Sequence, residues 1–506
     1  MLNLVFSLSV LLILTSVLCQ HPPVTQFRVI RQWKYFNFTW PDESTYIKAV
    51  EQHHYSPKNI ILKRLRYYDG WYYLTLPRMK SGTPATLVKI PESLKRGTAP
   101  PLEPFPSWQM NVEGNCEALQ NVQSIEIDDK GLMWIVDLGV TSVVEKEPNT
   151  TCPSKLVIYD INKQKVVVSY VFPDDVVDVE GYLYDIVVDG NFAYITDNSA
   201  DSPGIVVYSM KDNDSWKISH PKSMSAEPNA QEFRLNGVVI SQPINIAPIA
   251  LGPRLRVSNG RVILSDDRDV YYSPFSSFHL YSITTDILRN KNNHGNFDGV
   301  IRDWGQKASQ TDSMIMDNQG ILYYSLLTDN SIGLWDSKTP FTSAQRVVAR
   351  DNNYIQWLSS FSFDNRGNLT VASTRMQNLI AYGEFNITQN NFWILSAHSG
   401  GRSYVYDFNE YQPLPTTSPD YDGTSDNGSL EVNPTVSRTP STTVSSTIAN
   451  FSTTVVITTS TSSSTNSPLD HPDDYSNMVQ SSGSQGGLKI FWGCVSLVLF
   501  GYYTNW

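Results

Sequence analysis

The sequence predicts an all-β fold, a six-bladed β-propeller followed by a disordered Ser/Thr-rich C-terminal stalk. Three observations predict it. A glycine-centred hairpin pattern recurs six times between residues 24 and 408. Each recurrence is accompanied by further strand-like segments, enough for about four strands per repeat, which is one propeller blade. Helix signals are sparse, and the chain combines 27 Tyr and 12 Trp with only 17% charged residues, a balance that suits strands.

The chain opens on residues 1–19, which read as a secretory signal peptide. Val5 to Leu18 is almost wholly apolar, and Val17 and Cys19 sit at the −3 and −1 positions of a cleavage before Gln20. The run is shorter than the ~20 residues that a bilayer span needs. Residues 24–408 form the globular body. Its hairpins are RYYDGWYYLTL around Gly70, SIEIDDKGLMWIVD around Gly131, YDIVVDGNFAYITD around Gly190, LRVSNGRVILSDD around Gly260, SMIMDNQGILYYSLL around Gly320 and FSFDNRGNLTVAS around Gly367. Gly supplies the positive φ of a tight turn, and five of the six carry an Asp shortly before it. Further strands are expected at Leu156 to Phe172, Gly204 to Met210 and Phe278 to Ile283. Ring closure must hide the last sheet edge, and Phe27 to Phe36 is the natural strand to pair into the last blade.

Residues 413–480 are rich in Ser, Thr and Pro. Such a stretch cannot bury a core and reads as an extended, O-glycosylated stalk. The tail, 481–506, resembles a glycolipid-attachment (GPI) signal. Ser481 and Ser482 are the candidate attachment residues, and an apolar end runs from Ile490 to Tyr503. A merely apolar tail on a secreted protein is the alternative. The expected location is therefore extracellular, either free or tethered to the outer plasma membrane by lipid.

Export predicts disulfides and glycans. Cys19 leaves with the signal and Cys494 lies in the tail, so Cys116 and Cys152 are the one pair in the body. Acceptor triplets for N-glycans stand at Asn37, Asn149, Asn213, Asn368, Asn386, Asn427 and Asn450. A net charge of −11 and a pI near 5.2, with no basic stripe, exclude nucleic acid as a partner.

Chemistry in a propeller belongs at the mouth of its central channel. The position five before the turn Asp marks the channel end of each first strand. It picks out Gln123, Tyr184, Asp312 and Ser359. The ends of the second strands add Asp137, Asp197, Asn198 and Thr374. This polar, partly acidic set could hold a cationic amine, with Tyr or Met as an apolar wall. The plainer reading is that Asp137 and Asp197 satisfy backbone groups of turns. Standard catalytic patterns (GxSxG, HExxH, a phosphate-binding glycine loop, CxxC) are missing. The scattered histidines predict no metal site: adjacent His53 and His54 read as surface residues. No cofactor is expected.

Several stretches carry a family resemblance. They are YLTLPRMKSGTPATLVKI from Tyr73 to Ile90, the Cys116 to Tyr159 region, Asp185 to Asn198, YYSLLTDNSIGLW from Tyr323 to Trp335 and QWKYFNF from Gln32 to Phe38. Together, over about residues 27 to 408, they resemble the insect yellow/major royal jelly proteins. The resemblance implies a secreted six-bladed propeller of cuticle or eggshell, acting in pigmentation or sclerotisation. It would do so by binding small aromatic, catechol or biogenic-amine ligands, or matrix components. The alternative it implies is a melanin-pathway enzyme, a dopachrome-converting isomerase or tautomerase. In amine-binding relatives a Thr, an Asn and an aromatic hold the ligand, and the matching positions here are Ser359, Thr374 and Met376. Two of those three replacements change the chemistry, since the amide and the aromatic ring are gone.

Overall fold

A strand packed between two neighbouring blades is buried on both faces, and the first strands of the repeats are built accordingly. Val122–Ile127 is buried throughout and Leu183–Asp189 almost so, whereas the outer strand Lys165–Val171 is exposed apart from half-buried Val168 and Tyr170. The computed structural model describes residues 24–258, 261–293, 295 and 297–406. Outside them lie segment 1–19, the stalk, the tail with Ser481 and Ser482, and the sequons at Asn427 and Asn450.

Six four-stranded antiparallel sheets make the ring. Their first strands are Arg64–Tyr68, Val122–Ile127, Leu183–Asp189, Ile246–Leu251, Met314–Met316 and Trp357–Phe363. We number the blades 1 to 6 in this order. Each first strand lies against the next around the channel, and that of blade 6 returns to blade 1. The apolar core sits between blades: Trp134 and Leu156 of blade 2, for example, pack on Ile186 and Ile195 of blade 3. Arg28–Trp33 closes the ring as the fourth strand of blade 6, with Val29 opposite Leu395 and Trp33 opposite Phe392.

The recurring Asp has a structural job. In blades 2, 5 and 6 its carboxylate accepts two backbone amides across the turn. Asp128 takes those of Lys130 and Leu132 (3.0 and 2.9 Å), Asp317 those of Gln319 and Ile321 (2.9 and 2.8 Å), and Asp364 those of Arg366 and Asn368 (both 2.8 Å). Gly131, at φ +79°, also has no room for a side chain: a Cβ there would run into the Tyr68 hydroxyl and the Asn162 amide.

One hairpin is corrected. The pattern around Gly260, itself outside the described residues, is not the first hairpin of blade 4. Leu255–Ser258 and Arg261–Leu264 pair only with each other, as a ribbon inserted between the blade's true first and second strands, Ile246–Leu251 and Asp269–Pro274. A ribbon and a blade hairpin use the same turn chemistry, so local pattern cannot separate them.

Below the ring, residues 399–406 cross the end of the channel. Tyr404 is buried there. Its hydroxyl donates to Glu126 Oε2 (3.1 Å) and accepts from the Val188 amide (3.0 Å), and its carbonyl accepts from Arg268 (3.1 Å). The segment so ties blades 2, 3 and 4 together. Cys116 and Cys152 form a disulfide beside blade 2. Asn37, Asn149, Asn213 and Asn386 are exposed, whereas Asn368 is half-buried and donates its amide to Asp364 Oδ2 at 2.7 Å. His53 and His54 are exposed. No helix among the described residues is long and apolar enough to cross a membrane.

Candidate functional site

The channel mouth is shaped by bulges. Strand pairing slips between Val122 and Ser124, between Leu183 and Ile186, and between Leu358 and Ser360. The residues left out of regular pairing include Gln123, Tyr184 and Ser359. A bulge re-aims the side chain of its extra residue, which is how three strands otherwise committed to the core present polar groups at the mouth. Asp312 lies just before the short first strand of blade 5.

Above these residues is a cavity of about 90 Å³. Its walls are mainly apolar: Ile61, Leu62, Pro77, Met79, Ile244, Phe275, Trp357 and Ile380, with the rings of Tyr182 and Tyr184. Two insertions between or within blades bring further apolar groups to this end. The ribbon Glu232–Leu235 with Val238–Ser241 packs with the helix Met376–Tyr382, and Phe233 and Leu235 join a cluster with Phe275 and Trp357.

Of the nine residues expected at the mouth from the sequence and the family resemblance, six line this cavity: Tyr184, Asn198, Asp312, Ser359, Thr374 and Met376. Gln123 does not. It stands behind, where its Oε1 accepts from Lys63 Nζ at 2.6 Å. Asp197 does not either. Its Oδ1 accepts the amides of Tyr182 (2.9 Å) and Ser199 (3.0 Å), and its Oδ2 meets Lys217 Nζ at 2.7 Å. Asp137 is used in the same way by Gln120, Asn121 and Gly139. Both carboxylates therefore hold loops, because a buried amide without a partner is costly.

Asp312 is the carboxylate that faces the cavity. Tyr184 Oη donates to its Oδ1, and Trp357 Nε1 donates to its Oδ2 at 2.8 Å. Burial, and then the Asp312 charge, push the Tyr184 phenol well above its ordinary range, so it stays protonated as a donor. Lys63 lines the cavity with its ammonium 3.6 Å from the centre of the Tyr184 ring, a cation–π contact.

Sequence reasoning missed Lys63, Trp357 and Arg64. Arg64 is 1% exposed at the heart of the channel. Its Nε meets Asp185 Oδ1 at 3.1 Å, while its terminal nitrogens donate to the Ser359 carbonyl and, at 3.5 Å, to that of Asp312. Burial opposes its charge, but Asp185 and Asp312 outweigh that and raise its pKa. Arg64 thus links blades 1, 3, 5 and 6. The signal was present: five before the blade 1 turn residue Asp69 is Arg64. Among the described residues no group of three or more His, Cys, Asp or Glu is placed to hold a metal ion.

A propeller with an aromatic-lined cavity at its channel mouth is what fold and site define. A family model described as Major royal jelly protein matches residues 120–400, and the chain belongs to that family. Protein yellow of Drosophila erecta is 26% identical over 377 residues, covering 72% of this chain and 67% of the relative. Protein yellow of Drosophila melanogaster is 25% identical over the same length and the same shares. Among solved structures, a luciferin-regenerating enzyme aligns with a TM-score of 0.40 at 13% identity, over 68% of this chain and 94% of that one.

Proposed function

We propose that this is a secreted or surface-tethered yellow-family protein of cuticle or eggshell that acts in pigmentation or sclerotisation by holding a small aromatic ligand in its channel mouth. One observation carries the reading. The cavity has the walls an aromatic ring requires, from Tyr182, Tyr184, Phe275 and Trp357, around a fixed polar cluster at Asp312. Sites for small ligands have this build, mostly apolar with a few placed polar groups. The name shared by the relatives supports a pigment-related role, and the signal-like start and exposed sequons support export. Dopachrome conversion is the alternative: Asp312 would be its general base, each oxygen accepting one hydrogen bond and keeping a further lone pair.

Titration calorimetry and Trp fluorescence with a panel of catechols and indoles test the proposal. Saturable binding that weakens at least about tenfold in Trp357→Ala is expected. Absence of both heat and quenching at high micromolar ligand across the panel would remove it. Accelerated decay of dopachrome absorbance, abolished by Asp312→Asn, would replace it with the enzymatic reading.

A further inference from the structure

A groove of about 540 Å³ lies on the surface where the helix Glu43–Glu51 meets the loops of blades 1 and 2. Its apolar side is built from Trp40, Trp108 and Val112. The two indoles stack with ring centres 5.1 Å apart. Each is pinned by its N–H: Trp40 donates to Asn37 Oδ1 at 3.0 Å, and Trp108 to the Thr39 carbonyl at 3.2 Å. Both rings are half-buried, Val112 is 49% exposed, and the ring of Tyr46 beside Trp40 is exposed too. The polar side offers exposed Gln109 and Glu113. Contiguous apolar surface rimmed by polar groups marks a contact site.

A cover stands at the rim. Asn149 lines the same groove, and Asn149-Thr150-Thr151 is an acceptor triplet for an N-glycan. Its place is fixed. It exchanges backbone hydrogen bonds of 2.9 and 3.0 Å with Thr141, its Oδ1 accepts the Thr151 amide at 3.0 Å, and the following Cys152 is tied to Cys116. With Oδ1 so held, Nδ2 is the amide atom left to carry a sugar. We infer that this groove is the seat of the chain's own N-glycan, with the first sugars on Asn149 lying over Trp40 and Trp108. A pyranose ring has an apolar C–H face and a polar rim. The face suits an indole, and the hydroxyls and acetamide suit Gln109 and Glu113. A glycan anchored at the rim also reaches the groove without the loss of translational freedom that a free sugar suffers. The inference rests on the reading of the chain as exported, and on nothing proposed for the channel cavity.

The test compares the full-length protein, secreted from cultured cells, with Thr151→Ala and Thr151→Ser. The first removes the acceptor triplet and keeps Asn149; the second keeps both. Mass spectrometry should find a glycan on Asn149. A bare Asn149 beside other occupied acceptors would overturn the inference, whereas a chain with no glycan at all would overturn the reading of export. Hydroxyl-radical footprinting then reads the groove. In Thr151→Ala, Trp40 and Trp108 should oxidise at least about twofold faster once the bulky sugar is gone. The thermal midpoint should fall by about 2 °C, and Thr151→Ser should restore both values. Against a Trp108→Ala background, loss of the glycan should leave the midpoint unmoved. Unchanged oxidation of the two indoles in Thr151→Ala would sink the inference. So would a dimer in solution whose indoles become reactive on dilution, since a second copy would then be the cover. Should Thr151→Ala not be secreted, enzymatic removal of the glycans from the folded protein, with and without Trp108→Ala, gives the same reading.

Discussion

Asp312 and Asp317 stand five residues apart in blade 5, and their surroundings give one side chain type two different tasks. Asp312 accepts from an indole and a phenol at the cavity. Asp317 is fully enclosed at the other end of the blade, accepting turn amides beside the crossing segment at Ser403. Burial pushes its carboxyl up to about 7, against the amides that pull it down. Its folded pKa thus lies above the ordinary unfolded value near ~3.9. Folding takes up a proton in that window, so this group's contribution to stability is full below about pH 4 and is lost as pH rises through about 7. Asp317→Asn keeps an acceptor for the amides and removes the titration. Its stability relative to the unaltered protein should rise by up to roughly 1.4 kcal/mol per pH unit across the window. Urea unfolding at pH 5 and pH 8 checks this, and an unchanged difference between the two pH values would count against it.

At the scale of elements, hairpins were legible because each states its own turn chemistry: Asp, then Gly, between two apolar runs. Asp128, Asp317 and Asp364 show why the Asp recurs. What the pattern could not say is which strands a hairpin joins, hence the misplaced Gly260 ribbon. Bulges were not legible at all, since a register slip depends on the partner strand. Yet they decide that Tyr184 and Ser359 reach the cavity. The Cys116–Cys152 pairing followed from counting. The bridge spans 36 residues of sequence and also flanks Lys155, whose Nζ donates to the Cys116 and Ala118 carbonyls. Replacing both cysteines with Ser should cost roughly 3–4 kcal/mol by loop-closure entropy. Thermal unfolding under non-reducing conditions reads this as a midpoint lower by several degrees, and an unmoved midpoint would refute it.

For the whole molecule, closure is the controlling event. Strand Phe392–His398 would be an open edge without Arg28–Trp33, and open edges invite aggregation. The closing strand is also held from outside blade 6. Trp33 Nε1 donates to the Pro100 carbonyl at 2.9 Å, and the buried Arg31 guanidinium donates to the Glu92 carbonyl at 2.7 Å. Both acceptors belong to the edge of blade 1, so the strand joins the two blades that must meet. A chain beginning after Trp33 should lose cooperative unfolding and aggregate, and a peptide of residues 24–36 added in trans should restore solubility. Light scattering during a thermal ramp reports both. A truncated chain that melts like the full one would show that the ring closes by other means.

By itself the sequence determined the architecture: strand-rich repeats, their turn residues, the closing strand and the disulfide. These are local signals, or signals of count, and the physics behind them acts over a few residues. It also named six residues of the cavity: Tyr184, Asp312 and Ser359 by their place relative to a turn Asp, Asn198 and Thr374 as strand ends, and Met376 through the family resemblance. Only the tertiary structure decided what those residues face. Asp197 and Asp312 were both candidates for the mouth. One is spent on loop amides and Lys217, the other on Tyr184 and Trp357 from two other blades. The Lys63 and Arg64 charges became part of the site only through partners 60 or more residues away. Charge and hydrogen-bond balance in a buried site is a property of the assembled ring, and no single strand contains it.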